Sequence, residues 1–585
     1  MKRIFYFTVI ISVVLCAACH KSFLEVPAQG QQSIDAFYNA TGVQNLLKGA
    51  YHDLTGISTN SGWWSTSGTY WVYGDVTAGD AFTGGPSTLP DVSAIEQFQT
   101  TSFTAYLEDQ WTTDYDGVSR SNNVIIAAAN AADMGDVQKT QALAEARFLR
   151  AHYHFNAKIM WNNIPFVDDS LTKANIADNK VLLNVSNTAD AWPRIEADFR
   201  FAYDNLPEQQ AEIGRVNKWA AACYIAKCYL FEKRYDAALA LLDTIMIQGK
   251  NSSGVAYDLN DCFQDNFNAA TENSKEAVFQ IQFSVDDNSF GYNSNLGETG
   301  NVPNLFYGPD PGYGFWKRPT FSLVNAFKTD VNGLPMLDAA GNDTSNVTNM
   351  TNDMGLASYD PFTAYDGTVD PRLDWSVGRR DIPYLDWGID PGQDWVGGSS
   401  GQTIGGPYLP IKNVYMASQD YGIGGNNYYA AGGAGSSVNY NVIRFAEVLL
   451  WAAECEVEAG SLENARALVN RVRTRAVNSC RVLNGSDPAA NYFADIYNTP
   501  WTDPQFARNA IRFESRIEFS LEGHRFFDLV RWGIAADYLN AYLQKEQTRI
   551  DHLKGVSFTP QKNEYFPIPQ KEIGLNHYLV QNPGY

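Results

Sequence analysis

The stretch Lys218–Ile245, KWAAACYIAKCYLFEKRYDAALALLDTI, sets the fold class. Its apolar residues recur at helical rather than strand spacing, and the polar pair Lys233-Arg234 interrupts them. That pattern predicts two helices joined by a tight turn. Ala226, Tyr229, Tyr235, Ala238 and Leu242 fall where a tetratricopeptide-like pair wants small, aromatic, aromatic, small and large side chains. A second unit lies far downstream in Ile443–Ala476, IRFAEVLLWAAECEVEAGSLENARALVNRVRTRA. There Ala453 and Ala465 take close-packing positions, and Gly460-Ser461 supplies a helix stop followed by a new N-cap. A third amphipathic segment, Leu143–Trp161, places Ala144, Phe148, Ala151 and Phe155 on one stripe and its charges mainly on other faces. Two helix pairs so far apart do not make a simple solenoid. They predict a mainly α fold, a packed helical scaffold of tetratricopeptide-like pairs interrupted by a large insertion.

The insertion, about 288–440, reads differently. It is dense in Gly, Asn, Asp and aromatic residues, with little periodicity. Long irregular stretches in compact proteins are usually functional, and so many rings supply enough burial to order the chain. The expectation is an ordered, loop-rich half that presents a ligand-binding surface.

The N-terminus carries a different message. Lys2 and Arg3 precede an apolar run, Ile4–Leu15, too short to span a bilayer, and the run ends in VVLCAACHKSFL, Val13–Leu24. Small residues followed by a thiol suit lipoprotein processing: cleavage after Ala18 leaves Cys19 as the first mature residue, anchored through acyl chains. The expected division is a signal peptide over 1–18, an N-terminal helical region over 19–265 and a C-terminal region over 266–585.

Composition narrows the function. The 585 residues carry a formal net charge of −22, which repels phosphate backbones and argues against nucleic-acid binding. The histidines form no HExxH pattern, so nothing marks a metal or cofactor site. The cysteines Cys223, Cys228, Cys262, Cys455 and Cys480 show no disulfide spacing and read mostly as buried small apolar residues.

Several stretches go beyond periodicity: KSFLEVPAQG after Cys19, then EARFLRAHYHF, WNNIPFV, LVNRVRTRA, EGHRFFDLVRWG, YFPIPQKEI and a terminal QNPGY. In content and order they resemble the SusD/RagB family of Bacteroidetes outer-membrane lipoproteins, from Cys19 to Tyr585. One departure is Ser515, which stands where the family usually has an Arg before Arg516; another is the lack of an acidic run behind Cys19. The resemblance implies four tetratricopeptide-like helix pairs with an irregular ligand-binding half. It implies an oligosaccharide or peptide ligand, no catalysis, and a SusC-like TonB-dependent transporter as partner.

Two clusters of residues invite a functional reading. Glu518, Glu522, Arg525, Asp528 and Arg531 include carboxylates at i, i+4, but neighbouring arginines neutralise such a pair more simply than catalysis uses it. Phe526, Phe527 and Trp532 read as core. The aromatic loops differ. Trp63, Trp64, Tyr70 and Trp71 lie in SGWWSTSGTYWVYGD, and Tyr292, Tyr307, Tyr313 and Trp316 stand near Asn295, Asn304, Lys317 and Arg318. Sugars stack a C–H face on a ring while neighbouring polar groups take their hydroxyls. These two regions are the expected ligand-binding surface, and a lipid-anchored glycoside hydrolase with aromatic subsites is the rival from another class.

Overall fold

The computed structural model describes residues 33–56, 65–83, 90–283, 317–419, 425–426 and 435–585. Cys19 and the leader lie outside them. The scaffold begins with α1 (Ala40–His52), α2 (Ala105–Asn130), α3 (Asp136–Trp161), α4 (Trp192–Asn205), α5 (Lys218–Phe231) and α6 (Tyr235–Gln248), each packed against the next. The stack then skips the insertion. Helix α6 lies against α7 (Phe445–Ala459), which pairs with α8 (Leu462–Asn478), and both meet α9 (Pro504–Glu518). Two shorter helices follow, α10 (Arg525–Arg531) and α11 (Ala535–Glu546).

Helix boundaries follow the residues that predict them. The turn between α5 and α6 falls at Lys233, whose φ of 57° breaks the helix. Asn217 caps α5 by accepting from the Ala220 amide, and the Ser461 hydroxyl accepts from the Glu463 and Asn464 amides to start α8. Ala226, Ala238, Ala453 and Ala465 are fully buried. No Cβ branch stands between the helix axes there, so the pairs approach closely. In helix α3 several of the charged residues on the other faces, Glu145, Arg150 and Lys158, are buried too. Glu145 pairs with Arg215, and Arg150 pairs with Asp198 at 2.7 Å. From Ala144 onward the helix is packed between α2 and α4, which encloses these charges.

The insertion joins this stack through a narrow neck. Strand β1 (Ala277–Ile281) leaves the scaffold, and β2 (Tyr440–Arg444) returns antiparallel to it. Phe279 on β1 stands edge-on to Phe148 of α3 at 5.3 Å, which fastens the neck to the helical core. Between the strands, residues 317–419 form short helices, two-residue strands and turns, as the weak periodicity predicts.

The cysteine reading needs one correction. Cys262 and Cys480 are disulfide-bonded, with Cα atoms 5.1 Å apart, while Cys223, Cys228 and Cys455 are free and buried. The partners are 218 residues apart and meet because the segment between α6 and β1 packs on the end of α8, where the Phe263 amide also donates to the Ser479 hydroxyl. Spacing along the chain carries no trace of that contact.

Candidate ligand-binding site

The two expected binding regions meet at one seam. Ala81-Phe82 pairs antiparallel with Arg318-Pro319. The Thr320 hydroxyl donates to the Gly79 carbonyl at 2.7 Å, and Lys317 stands 3.5 Å from Asp75. The described ends of the two aromatic stretches are therefore held side by side, although more than 200 residues separate them in sequence. Burial pushes the Asp75 carboxyl up to about 7 against the pull of Lys317, and it pulls the Lys317 ammonium down. Asp80 adds a charged clasp by pairing with Arg516 of α9 at 2.9 Å.

Within the seam the individual rings sort themselves. Trp71 is buried, 1% exposed, and is corrected from binding platform to core. It leads into a single π-helical turn, Val72–Val76, whose backbone packs directly on the loop before α10. A Cβ on Gly74 would lie 1.8 Å from the Gly523 carbonyl oxygen, and a Cβ on Gly523 would lie 2.0 Å from that of Thr69. Both glycines are needed for that approach. The turn also explains the missed burial. Poor strand alternation does not prevent Trp71 and Tyr73 from both facing inward when the backbone is helical. Tyr73 donates to the carbonyls of Ser65 and Tyr106 at 2.9 Å each.

Tyr70 is half-buried and turned inward. Its hydroxyl donates to Asp114 at 3.2 Å and accepts from Gln110 at 3.0 Å. It lines an internal cavity of about 50 Å³ together with His152, Lys227, Glu447 and His524. Lys317 and Arg318 are likewise scaffold rather than ligand partners: both are buried, and Arg318 donates to the carbonyls of Gly401 and Val396. Trp63, Trp64, Tyr292, Tyr307, Tyr313 and Trp316 lie outside the described residues, as do Asn295 and Asn304.

The carboxylates of the 518–531 stretch are structural; Asp528 takes its i+3 neighbour Arg531 at 2.7 Å, but the partners of Glu518 and Glu522 are not the neighbours that helix spacing suggests. Five cations and five carboxylates interlock at the neck. Arg444 bridges Glu276, Glu518 and Glu522; Arg475 bridges Glu276 and Glu518; Arg372 joins Asp370, Glu514 and Glu518. Arg473 takes Glu514, and Lys412 takes Glu522 at 2.6 Å. All ten are buried. Burial alone would raise the Glu518 pKa, but the guanidiniums of Arg475, Arg444 and Arg372 override it and hold the group well below the usual range. A carboxylate so held cannot deliver a proton near neutrality. Arg531 pairs with Glu454 at 2.6 Å, tying α10 to α7. Phe526 and Phe527 are core, whereas Trp532 is only half-buried, because its Nε1–H reaches out to Glu454.

Among the described residues no group of three or more His, Cys, Asp or Glu side chains could hold a metal ion, and no helix is long and apolar enough to cross a membrane.

Comparison with known proteins places this architecture. A family model described as "SusD family" matches residues 275–585, and one described as "Starch-binding associating with outer membrane" matches 79–230. A SusD-like protein P25 from Formosa agariphila is 26% identical over 82% of this chain and 80% of its own. A SusD-like protein from Bacteroides ovatus is 24% identical over 89% of this chain and 81% of its own. Among solved structures, a SusD-like carbohydrate binding protein from Bacteroides fragilis aligns with a TM-score of 0.67 at 22% identity, over 93% of this chain and all of its own. Surface glycan-binding protein A from Bacteroides thetaiotaomicron, in complex with laminarihexaose, aligns with a TM-score of 0.62 at 19% identity, over 93% and 99%.

Proposed function

The chain belongs to the SusD family, and from that premise we propose that it is an outer-membrane lipoprotein that captures oligosaccharide at the cell surface. It passes that ligand to a SusC-like TonB-dependent transporter and does no chemistry on it. The observation that carries the reading is the seam itself: the described ends of two aromatic-rich, polar-flanked stretches, more than 200 residues apart in sequence, are clamped together at Asp75, Lys317 and the Ala81-Phe82 pairing. Solved relatives described as carbohydrate-binding, or bound to laminarihexaose, support a glycan as the ligand. Trp63, Trp64, Tyr292, Tyr307, Tyr313 and Trp316 are the rings proposed to meet it.

Anchoring rests on the apolar leader that ends at Cys19. The Cys262–Cys480 disulfide supports an oxidising compartment outside the cytoplasm, and the description of the second family model supports the outer membrane. The Glu518–Glu522 pair offers a hydrolase no catalytic acid and base, since both carboxylates are buried and paired with cations.

Calorimetry against a panel of neutral oligosaccharides and peptides tests the proposal. Saturable oligosaccharide binding without cleavage products is expected, weakened by roughly tenfold when Trp63 and Trp64 are both replaced by Ala. Bond cleavage would move the protein to the hydrolase class, and binding of peptides alone would move it to the peptide-binding branch. Fractionation tests the anchor, because Cys19→Ala should leave the protein soluble or unprocessed.

A further inference from the structure

A groove of about 750 Å³ lies between the turns at 331–339 and the segment 493–506, and it shares no residue with the seam. That volume is within the range of about 300–1,000 Å³ usual for small-molecule sites. Its walls are fixed from beneath. Buried Arg473 donates to the Gly333 carbonyl on one side and the Asp495 carbonyl on the other, and its charge is met by Glu514. The Asp330 carboxylate accepts from the Asn332 and Leu334 amides, which holds the facing turn in shape.

The floor is aromatic and holds unmet donors. Tyr497 and Trp501 stand edge-to-face with centroids 5.3 Å apart, and Phe506 lies 6.1 Å beyond Trp501. Tyr497 and Trp501 are only 5% and 7% exposed, yet the Tyr497 hydroxyl and the Trp501 Nε1–H meet no acceptor among the described residues. Buried donors of native proteins nearly always have a partner, so each unmet one needs an explanation. The rim supplies exposed amides and hydroxyls from Asn332, Asn498, Thr499 and Thr502. Asp503 spends one carboxylate oxygen capping α9 at the Gln505 amide.

We infer that this groove is a second ligand site, one that takes a short neutral oligosaccharide. Rings beneath and an exposed amide-and-hydroxyl rim match the C–H faces and hydroxyls of sugars. No lysine or arginine lines the groove, while Asp495 and Asp503 do, so sulfated and uronic glycans are disfavoured. The choice of carbohydrate over other neutral ligands rests on the glycan-binding reading above. A second site on the same chain would hold a long glycan at two points and raise its effective concentration at the first.

The test uses the full-length protein labelled with 5-fluorotryptophan, followed by fluorine NMR, with Trp501→Phe identifying the Trp501 resonance. Laminarihexaose, maltohexaose and cellohexaose are the probes, at millimolar concentration. The Trp501 resonance should move saturably with at least one of them, including in protein carrying Ala at Trp63 and Trp64. Thr499→Arg, at an exposed rim position, should weaken that response at least fivefold. A Trp501 signal unmoved by every hexaose overturns the inference, and calorimetric binding in the same samples would show that the first site survives its loss. A Trp501 signal that responds only to a lysine-rich peptide, through Asp495 and Asp503, also overturns it.

Discussion

The helical stack and the insertion solve one problem, holding a long chain in a single arrangement, by different physical means. Along α3 to α8 the contacts are mainly apolar, with small alanines at the crossings, aromatic rings such as Phe148, Phe199 and Tyr224 between them, and a few buried ion pairs such as Arg150–Asp198. The insertion cannot rely on periodic apolar faces, because its sequence has few. It is docked instead by specific polar contacts: the interlocked ions at the neck, the Asp75–Lys317 pair, and side chains such as Arg318 that hold loop carbonyls. Apolar packing is forgiving of detail, whereas buried charges are favourable only in the arrangement that pairs them. A surface that must be irregular in shape yet fixed in place suits the second device.

Breaking the neck should have the largest effect. Arg444→Met takes one buried cation from each of Glu276, Glu518 and Glu522, which keep only Arg475, Arg372 and Lys412 between them, and should cost about 5 kcal/mol of stability. Hydrogen exchange would then show protection lost first in β1, β2 and the 372–412 segment while α3 remains protected. Simultaneous loss everywhere would mean that the two regions are energetically one.

Next comes the ring whose role the fold reverses. Trp71→Ala should lower stability by about 4 kcal/mol in chemical denaturation, as buried Trp truncations do, with glycan affinity unchanged in protein that remains folded. A stable variant with weakened binding would return Trp71 to the ligand surface.

A pH series probes the cavity lined by α3, α5, α7 and α10. Burial, opposed by Lys227, pushes the Glu447 carboxyl from 4.5 up to about 7. The folded state therefore binds more protons than the unfolded state between those values. The contribution is fully present below pH 4.5 and is lost as the pH rises through 7, amounting to up to about 3 kcal/mol. Glu447→Gln should flatten this slope, so that melting temperatures at pH 5 and pH 8 differ less than in the wild type.

The smallest effect belongs to the stack. Ala465→Leu overpacks the crossing of α7 and α8 and should cost about 1–2 kcal/mol without changing ligand binding. Wild-type melting behaviour would mean that this crossing has room to spare.

How far the sequence could be followed depends on the range of the forces involved. Helix pairing over 218–245 and 443–476 was legible because small residues, caps and the turn at Gly460-Ser461 act within a few positions of one another. The structural role of Glu518 was legible too, but its partners were not: Arg372, Arg444 and Arg475 are long-range neighbours, and spacing pointed instead to Arg525 and its helix. Trp71 was misjudged for a related reason. Strand alternation was the wrong period for a residue leading into a π-helical turn, and the burial of that turn depends on Gly74 meeting Gly523.

The sequence by itself determined the helical scaffold, the presence and extent of the irregular half, the family resemblance and an acidic chain unsuited to nucleic acid. Only the tertiary structure decided the skip of the stack from α6 to α7, the Cys262–Cys480 bond, the ionic neck and the seam that joins 65–82 to 317–319. Local propensities are written in neighbouring residues and act before the chain is compact. Pairings across hundreds of residues acquire their energy only when burial removes water from both partners at once, and no short window of sequence contains that event.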